Sequence, residues 1–245
     1  MNLNYRYNHP TRAVLIAPNR SGGTFLAQYL SSHPQIFCDR GEPLHPKSCW
    51  RQAGLTPAQV VNLLTSQLYY LVSMFKMNPA QLAKFGGLKA LKAAGIEKVI
   101  LLWRNPIRMA ISGALTYGSD PEPAHGFEPI TPRKRLIDPA ALIQQVGRYV
   151  NERNLLSGEI AQTSLPGQLI QYRELLAHDP MPPGELPELQ LFHIAEFFEV
   201  VYYQMVAFSY PLHAAPLPDM IENWLEVEAA LLASPFAGYM ETLDE

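Results

Sequence analysis

Residues 13 to 31 constrain the fold of this 245-residue chain more than any other stretch. Ala13-Val14-Leu15-Ile16-Ala17 is an apolar run suited to a strand covered on both faces. A turn bearing Gly22 and Gly23 follows, and Thr24, Phe25, Leu26, Tyr29 and Leu30 then recur at helical spacing. At such a junction the first helix amides have no internal partner, the helix dipole favours negative charge, and glycine lets the backbone approach a ligand closely. Arg20, Ser21 and Thr24 add side-chain donors, so the stretch has the chemistry of a phosphate site. The nucleoside-triphosphate loop G-x-x-x-x-G-K-[ST] places a lysine before its Ser/Thr, whereas position 23 is glycine, which leaves Arg20 as the local cation. The plainer reading of the same residues is a tight strand-to-helix connection that holds nothing.

Composition narrows the partner. The length suits one large α/β domain over residues 1–245, and 48% hydrophobic with 17% charged residues describes a globular chain. A net charge of -3 supplies no broad basic field for a nucleic acid polymer, so the expected anionic partner is small. Met1 to Arg12 holds no apolar signal core and no window has the length of a membrane span, which reads as a cytoplasmic protein. Cys38 and Cys49 read as reduced thiols, and Cys38, His45 and Cys49 are too sparse for a zinc site, so no metal is expected.

Helices and strands alternate along the rest. Pro34 to Cys38 reads as a short strand. Thr56-Pro57-Ala58-Gln59 opens a long helix whose apolar face is Val60, Val61, Leu64, Leu68, Leu71, Val72 and Phe75. Asn78-Pro79-Ala80-Gln81 repeats that start, and Gly95 closes a further helix. Lys98 to Trp103 is the clearest strand, Pro106 starts a helix through Leu115, and Asp138-Pro139 starts another carrying Leu142, Val146, Tyr149, Val150, Leu156 and Ile160 on its buried stripe. Gly167 to Gln171 is a strand, while Leu191 to Val206 and Met220 to Leu232 read as helical. The long stretch 118–137 reads as a lid, a binding loop or a disordered segment. The alternation implies a three-layer α/β domain with a mainly parallel sheet. Ligands collect at the carboxyl ends of such strands, and Arg20, Glu42, Arg104 and Tyr172-Arg173 each follow one.

Arg20-Ser21-Gly22-Gly23-Thr24 resembles the 5'-phosphosulfate loop of sulfotransferases that use 3'-phosphoadenosine 5'-phosphosulfate (PAPS). A second signature of that family is a strand ending in arginine, then x-Pro, with a serine eight residues after the arginine; here it is Arg104-Asn105-Pro106 and Ser112. The resemblance implies a fold like that of the P-loop NTPases, with Arg20, Ser21, Gly22, Gly23 and Thr24 around the 5'-phosphosulfate and Arg104 with Ser112 on the 3'-phosphate. A guanidinium fork suits phosphate oxygens. Arg20 to His45 also resembles the carbohydrate sulfotransferases, through His33-Pro34, Ile36-Phe37-Cys38 and Glu42-Pro43. An acidic residue there is the usual general base, which makes Glu42 the first candidate and His45 the second.

Other matches are looser. Tyr172-Arg173-Glu174-Leu175 departs in its middle from the family's Tyr-Glu-Asp-Leu block, and Ile221 to Val227 reads as packing around Trp224. Cytosolic members carry a loop lysine and a late Arg-Lys-Gly motif, both missing here, and Arg133-Lys134-Arg135 reads as a solvated charge run. Lys89 is a candidate to reach the sulfuryl group, its plainer reading being an exposed helix lysine. Tyr69, Tyr70, Phe75, Tyr117 and the 118–137 loop are candidates to line an acceptor pocket, although aromatic residues at helical spacing are more often core. The expected activity is sulfuryl transfer from PAPS to a hydroxyl of a small-molecule, carbohydrate or lipid acceptor, without metal. The alternatives are an ATP- and Mg-dependent P-loop kinase and a nucleotide-binding protein without catalysis.

Overall fold

The apolar run at the start of the chain becomes Thr11–Ile16 (β1), whose Ala13, Val14, Leu15 and Ile16 are fully buried. The computed structural model describes residues 9–45, 47–117, 134–175, 186–207 and 216–243. The other strands are Ile36–Asp39 (β2), Val72–Met77 (β3), Lys98–Trp103 (β4) and Gly167–Gln171 (β5). The helices are Gly23–Ser32 (α1), Cys49–Gln52 (α2), Pro57–Leu64 (α3), Pro79–Phe85 (α4), Gly87–Ala93 (α5), Pro106–Tyr117 (α6), Pro139–Thr163 (α7), Glu188–Phe198 (α8), Leu217–Met220 (α9) and Trp224–Leu232 (α10).

The five strands lie in the order β2-β3-β1-β4-β5, and every neighbouring pair is parallel. Parallel neighbours need crossover connections, which the intervening helices supply. The chain leaves β1 for β2 on one side and leaves β4 for β5 on the other, so the topological switch lies at the carboxyl ends of β1 and β4. Alternation along β1 divides the core. Ala13 and Leu15 face a cluster with Leu26, Ala27 and Leu30 of α1 and Leu191, Ile194 and Phe198 of α8. Val14 and Ile16 face Val60, Val61 and Leu64 of α3, Leu82 of α4, and Leu88 and Leu91 of α5. The result is the expected three-layer α/β architecture, with a sheet that is parallel throughout.

The folded chain divides into two compact units. Met1–Trp103 with Leu156–Ala207 contains the whole sheet, and Arg104–Leu155 with Phe208–Glu245 is the second unit. In the second unit Asn105 caps α6, its Oδ1 accepting from the amides of Ile107 (2.9 Å) and Arg108 (3.2 Å). Its Nδ2 donates to the Tyr239 carbonyl at 2.8 Å, tying the last turn of the chain to the start of α6. Asp138 caps α7 as expected, accepting from the Ala140 amide at 2.9 Å.

Several elements differ from the sequence reading. The helix opened by Thr56 does have its capping box, yet it ends at Leu64, and Val72 to Met77 is strand. The turn after Leu64 lets β3 enter the middle of the sheet, where all six of its residues are buried. The last two helical stretches are also shorter. Glu199 adopts a left-handed φ of 57° and ends α8, and Ile221 to Asn223 separates α9 from α10. Arg135 is not simply solvated: its backbone pairs with Ile221, donating to the Met220 carbonyl (3.0 Å) and accepting from the Glu222 amide (2.8 Å). Trp224 and its neighbours do pack, with Val227 fully buried and Asn223 exchanging two hydrogen bonds with Ile137. Residues 1–8 and 118–133, which include most of the expected acceptor-side loop, lie outside the described residues. Among the described residues no helix is long and apolar enough to cross a membrane.

His33, between α1 and β2, is buried as a neutral imidazole. Nδ1 accepts from the Gln35 amide at 3.1 Å, which leaves the proton on Nε2 to donate to the Val201 carbonyl at 3.0 Å. Burial holds its pKa below the ordinary 6.5. The unfolded chain therefore binds the extra proton more readily, and His33 favours unfolding increasingly as pH falls below 6.5. Denaturant titrations from pH 7.5 to 5 should show a steeper loss of stability in the wild type than in His33→Gln; parallel slopes would contradict the neutral assignment.

Candidate functional site

The turn between β1 and α1 is built by close contacts. Ser21 is fully buried, and its hydroxyl donates to the Pro18 carbonyl at 2.7 Å. Arg20 takes a left-handed φ of 68°, an uncommon state for a residue with a Cβ, and Gly22 takes 90°. A Cβ on Gly22 would lie 2.3 Å from the ring of Tyr172, which is buried just after β5. A Cβ on Gly23 would lie 2.5 Å from the Cβ of Ala17 and 3.2 Å from Cδ of Lys76. Both glycines are thus required by space, and Tyr172 earns its place as the floor of the turn. Gly22→Ala combines positive-φ strain with overlap on a packed ring and should cost about 3 kcal/mol, read by urea denaturation. Stability within about 0.5 kcal/mol of wild type would contradict the contact.

No side chain caps α1, in contrast to the capping boxes of α3 and α4. The group that approaches its first turn is a lysine. Lys76 pairs with Leu15 across β3 and β1 and shares the face of Val72 and Met74, so its stem runs beneath α1. Its residue exposure is 8%, its Nζ donates to Thr24 Oγ1 at 3.0 Å, and it lies 3.7 Å from Glu42 Oε1. Burial lowers the pKa of the ammonium, and the Glu42 carboxylate opposes that shift. The sequence reading gave the loop Arg20 as its local cation; the fold brings in a second from a neighbouring strand. Lys76 is not visible as a site residue in the sequence because the spacing around it reads as helix, whereas the segment is strand.

Glu42, after β2, is half-buried. Its Oε1 faces Lys76, while Oε2 accepts from Gln81 Nε2 at 3.2 Å and from Asn78 Nδ2 at 3.4 Å. Glu42, Thr24 and Lys76 are therefore joined at the carboxyl ends of β1, β2 and β3, as the strand-end argument expects of the first and second segments. A carboxylate beside an ammonium and an uncapped helix start can accept a proton at one point and stabilise an anion at another.

The remaining candidates are distributed as follows. His45 is exposed, its Nδ1 accepting from the Lys47 amide at 3.1 Å and its own amide donating to the Glu42 carbonyl at 2.9 Å. Lys89 is exposed on α5. Arg104, half-buried, follows β4 directly, and Ser112 is 3% exposed on α6; both belong to the second unit. Tyr69 and Tyr70 precede β3 and so lie at the amino ends of the strands, away from Lys76 at the other end. Phe75 is core on the α3 side of the sheet, and Tyr117 is exposed at the end of α6. Neither Tyr69, Tyr70 nor Phe75 can line a pocket at the carboxyl ends.

No protein-family model and no curated protein sequence matches the chain. Among solved structures it is similar to the crystal structure of a sulfotransferase from Alicyclobacillus acidocaldarius, with a TM-score of 0.55 at 14% identity, over 96% of each chain. The likeness extends over nearly the full length and establishes a shared fold, in keeping with the all-parallel five-stranded sheet.

Proposed function

We propose that this chain transfers a sulfuryl group from PAPS to a hydroxyl-bearing acceptor. The observation that carries the reading is the buried Lys76 ammonium, held between Thr24 and Glu42 at a glycine turn whose two glycines leave no room for a Cβ. The sulfotransferase-like fold supports it from a second direction. The donor set fits a phosphosulfate: backbone amides at the start of α1, the hydroxyl of Thr24, the guanidinium of Arg20 and one ammonium.

When bound, PAPS supplies an activated sulfur: the acceptor oxygen bonds to it as its bond to the 5'-phosphate oxygen breaks, releasing 3',5'-adenosine diphosphate. Glu42 takes the acceptor proton as the attacking oxygen loses its electron pair to sulfur. Lys76, Arg20 and the loop amides stabilise the negative charge that grows on the departing bridging oxygen. Thr24 orients the Lys76 ammonium through its 3.0 Å hydrogen bond. On the sequence resemblance, Arg104 and Ser112 bind the 3'-phosphate. Glu42 is preferred to His45 as the base because it is the group joined to Lys76, and Lys76 is preferred to Lys89 as the lysine at the loop.

Calorimetric titration tests the nucleotide assignment. Wild type should bind 3',5'-adenosine diphosphate in EDTA, and Arg104→Ala should weaken that binding about 30-fold or more through loss of a charge-assisted fork. Preference for Mg-ATP over the bisphosphate would turn the reading toward a kinase.

A further inference from the structure

The segment Lys76-Met77-Asn78-Pro79-Ala80-Gln81 carries three groups that meet one carboxylate. Asn78 and Gln81 form the capping box of α4: Asn78 Oδ1 accepts from the Gln81 amide at 2.9 Å, and Gln81 Oε1 accepts from the Asn78 amide at 3.0 Å. Each side-chain carbonyl is thereby committed to the backbone. The amide planes can then turn only their NH2 groups outward, and that fixes which end faces Glu42.

Both NH2 groups converge on Glu42 Oε2, at 3.4 Å from Asn78 and 3.2 Å from Gln81. Gln81 is 8% exposed, so its donor has few alternatives in water. We infer that Asn78 and Gln81 are positioning residues for the base, clamping Oε2 so that Oε1, beside Lys76, is the oxygen that receives the acceptor proton. The clamp uses a helix start that the fold needs anyway, and it ties the base to the strand that delivers the ammonium. A carboxylate free to rotate about its last bond would spend much of its time with neither oxygen aligned; two fixed donors on one oxygen remove that freedom.

This inference rests on the sulfuryl-transfer reading for its consequence in turnover, and its test separates the two. Asn78→Ser keeps the capping acceptor, Gln81→Met keeps the stem, and each removes one donor to Glu42 without adding a charge. In each, release of 3',5'-adenosine diphosphate from PAPS with water as acceptor should fall about 10- to 100-fold, the range for losing hydrogen bonds to a charged group. Affinity for 3',5'-adenosine diphosphate should stay within about twofold, and the melting temperature should hold in Asn78→Ser, which keeps its capping acceptor. Wild-type turnover in both variants, or turnover that falls only in step with melting temperature, would overturn the clamp. Side-chain amide resonances of Asn78 and Gln81 give a readout without catalysis: Glu42→Ala should displace both pairs, and unmoved resonances would overturn the clamp as well. A wild type that neither binds the bisphosphate nor turns over PAPS would sink the sulfuryl-transfer reading instead, leaving the resonances to decide the geometry.

Discussion

Lys76→Met should lower sulfuryl transfer about 10³-fold while the chain stays folded, the size of effect seen when a preorganised donor to a developing anion is lost. Methionine keeps most of the stem that packs beneath α1 and removes only the charge. The ammonium is nearly excluded from water and hydrogen-bonded to Thr24, so it need not reorganise when negative charge appears at the loop. The binding of 3',5'-adenosine diphosphate should weaken much less than turnover, because the charge being stabilised builds up in the transition state. Lys76→Arg should not rescue: the planar guanidinium is bulkier than the ammonium, and residue 76 is only 8% exposed. Single-turnover rates with saturating PAPS, alongside calorimetric affinities, make the comparison. Turnover within about threefold of wild type would remove Lys76 from the chemistry.

Glu42→Gln should reduce transfer about 10²- to 10⁴-fold, the usual worth of a general base, by replacing the proton acceptor with an amide of the same shape. Its effect on affinity should run the other way. The Glu42 carboxylate lies 3.7 Å from the ammonium at the loop, and neutralising it frees Lys76 for an incoming anion, so 3',5'-adenosine diphosphate should bind at least as tightly as to wild type. Unchanged turnover would move the base elsewhere, first to His45. Weaker binding would mean that the carboxylate organises the loop rather than serving the acceptor.

Much of this architecture was open to the sequence because single-residue physics wrote it there. The apolar run of β1, the run of β4 and the Thr-Pro-x-Gln and Asn-Pro-x-Gln starts each follow from local rules, and each appears where those rules put it. β3 escaped because Leu68, Leu71, Val72 and Phe75 prolong the helical spacing of α3 by coincidence, while Ser73 and Lys76 interrupt the apolar run that marks a buried strand. Pairing with β1 and β2 overrides the local signal, and a pairing between distant segments leaves no trace in either one alone. The candidate site shares that limit. Glu42 and the loop stand out because each follows a strand legible in the sequence; Lys76 lies inside the strand that is not. The lysine missing from the loop in sequence arrives there from β3 in space. Tyr172 reads in the sequence as a motif remnant, and its use as the ring on which Gly22 rests emerges only when β5 is placed beside β4.

The central claim is that the Lys76 and Glu42 pair at the glycine turn serves sulfuryl rather than phosphoryl transfer. It is tested most directly by giving the wild-type chain ³⁵S-labelled PAPS in EDTA and, separately, γ-³²P-labelled ATP with Mg²⁺, each with a panel of hydroxyl compounds spanning phenols, sugars and lipids. Label should leave PAPS, appear on an acceptor and accompany stoichiometric 3',5'-adenosine diphosphate, with Lys76→Met and Glu42→Gln both deficient. Transfer from ATP with none from PAPS would contradict the account.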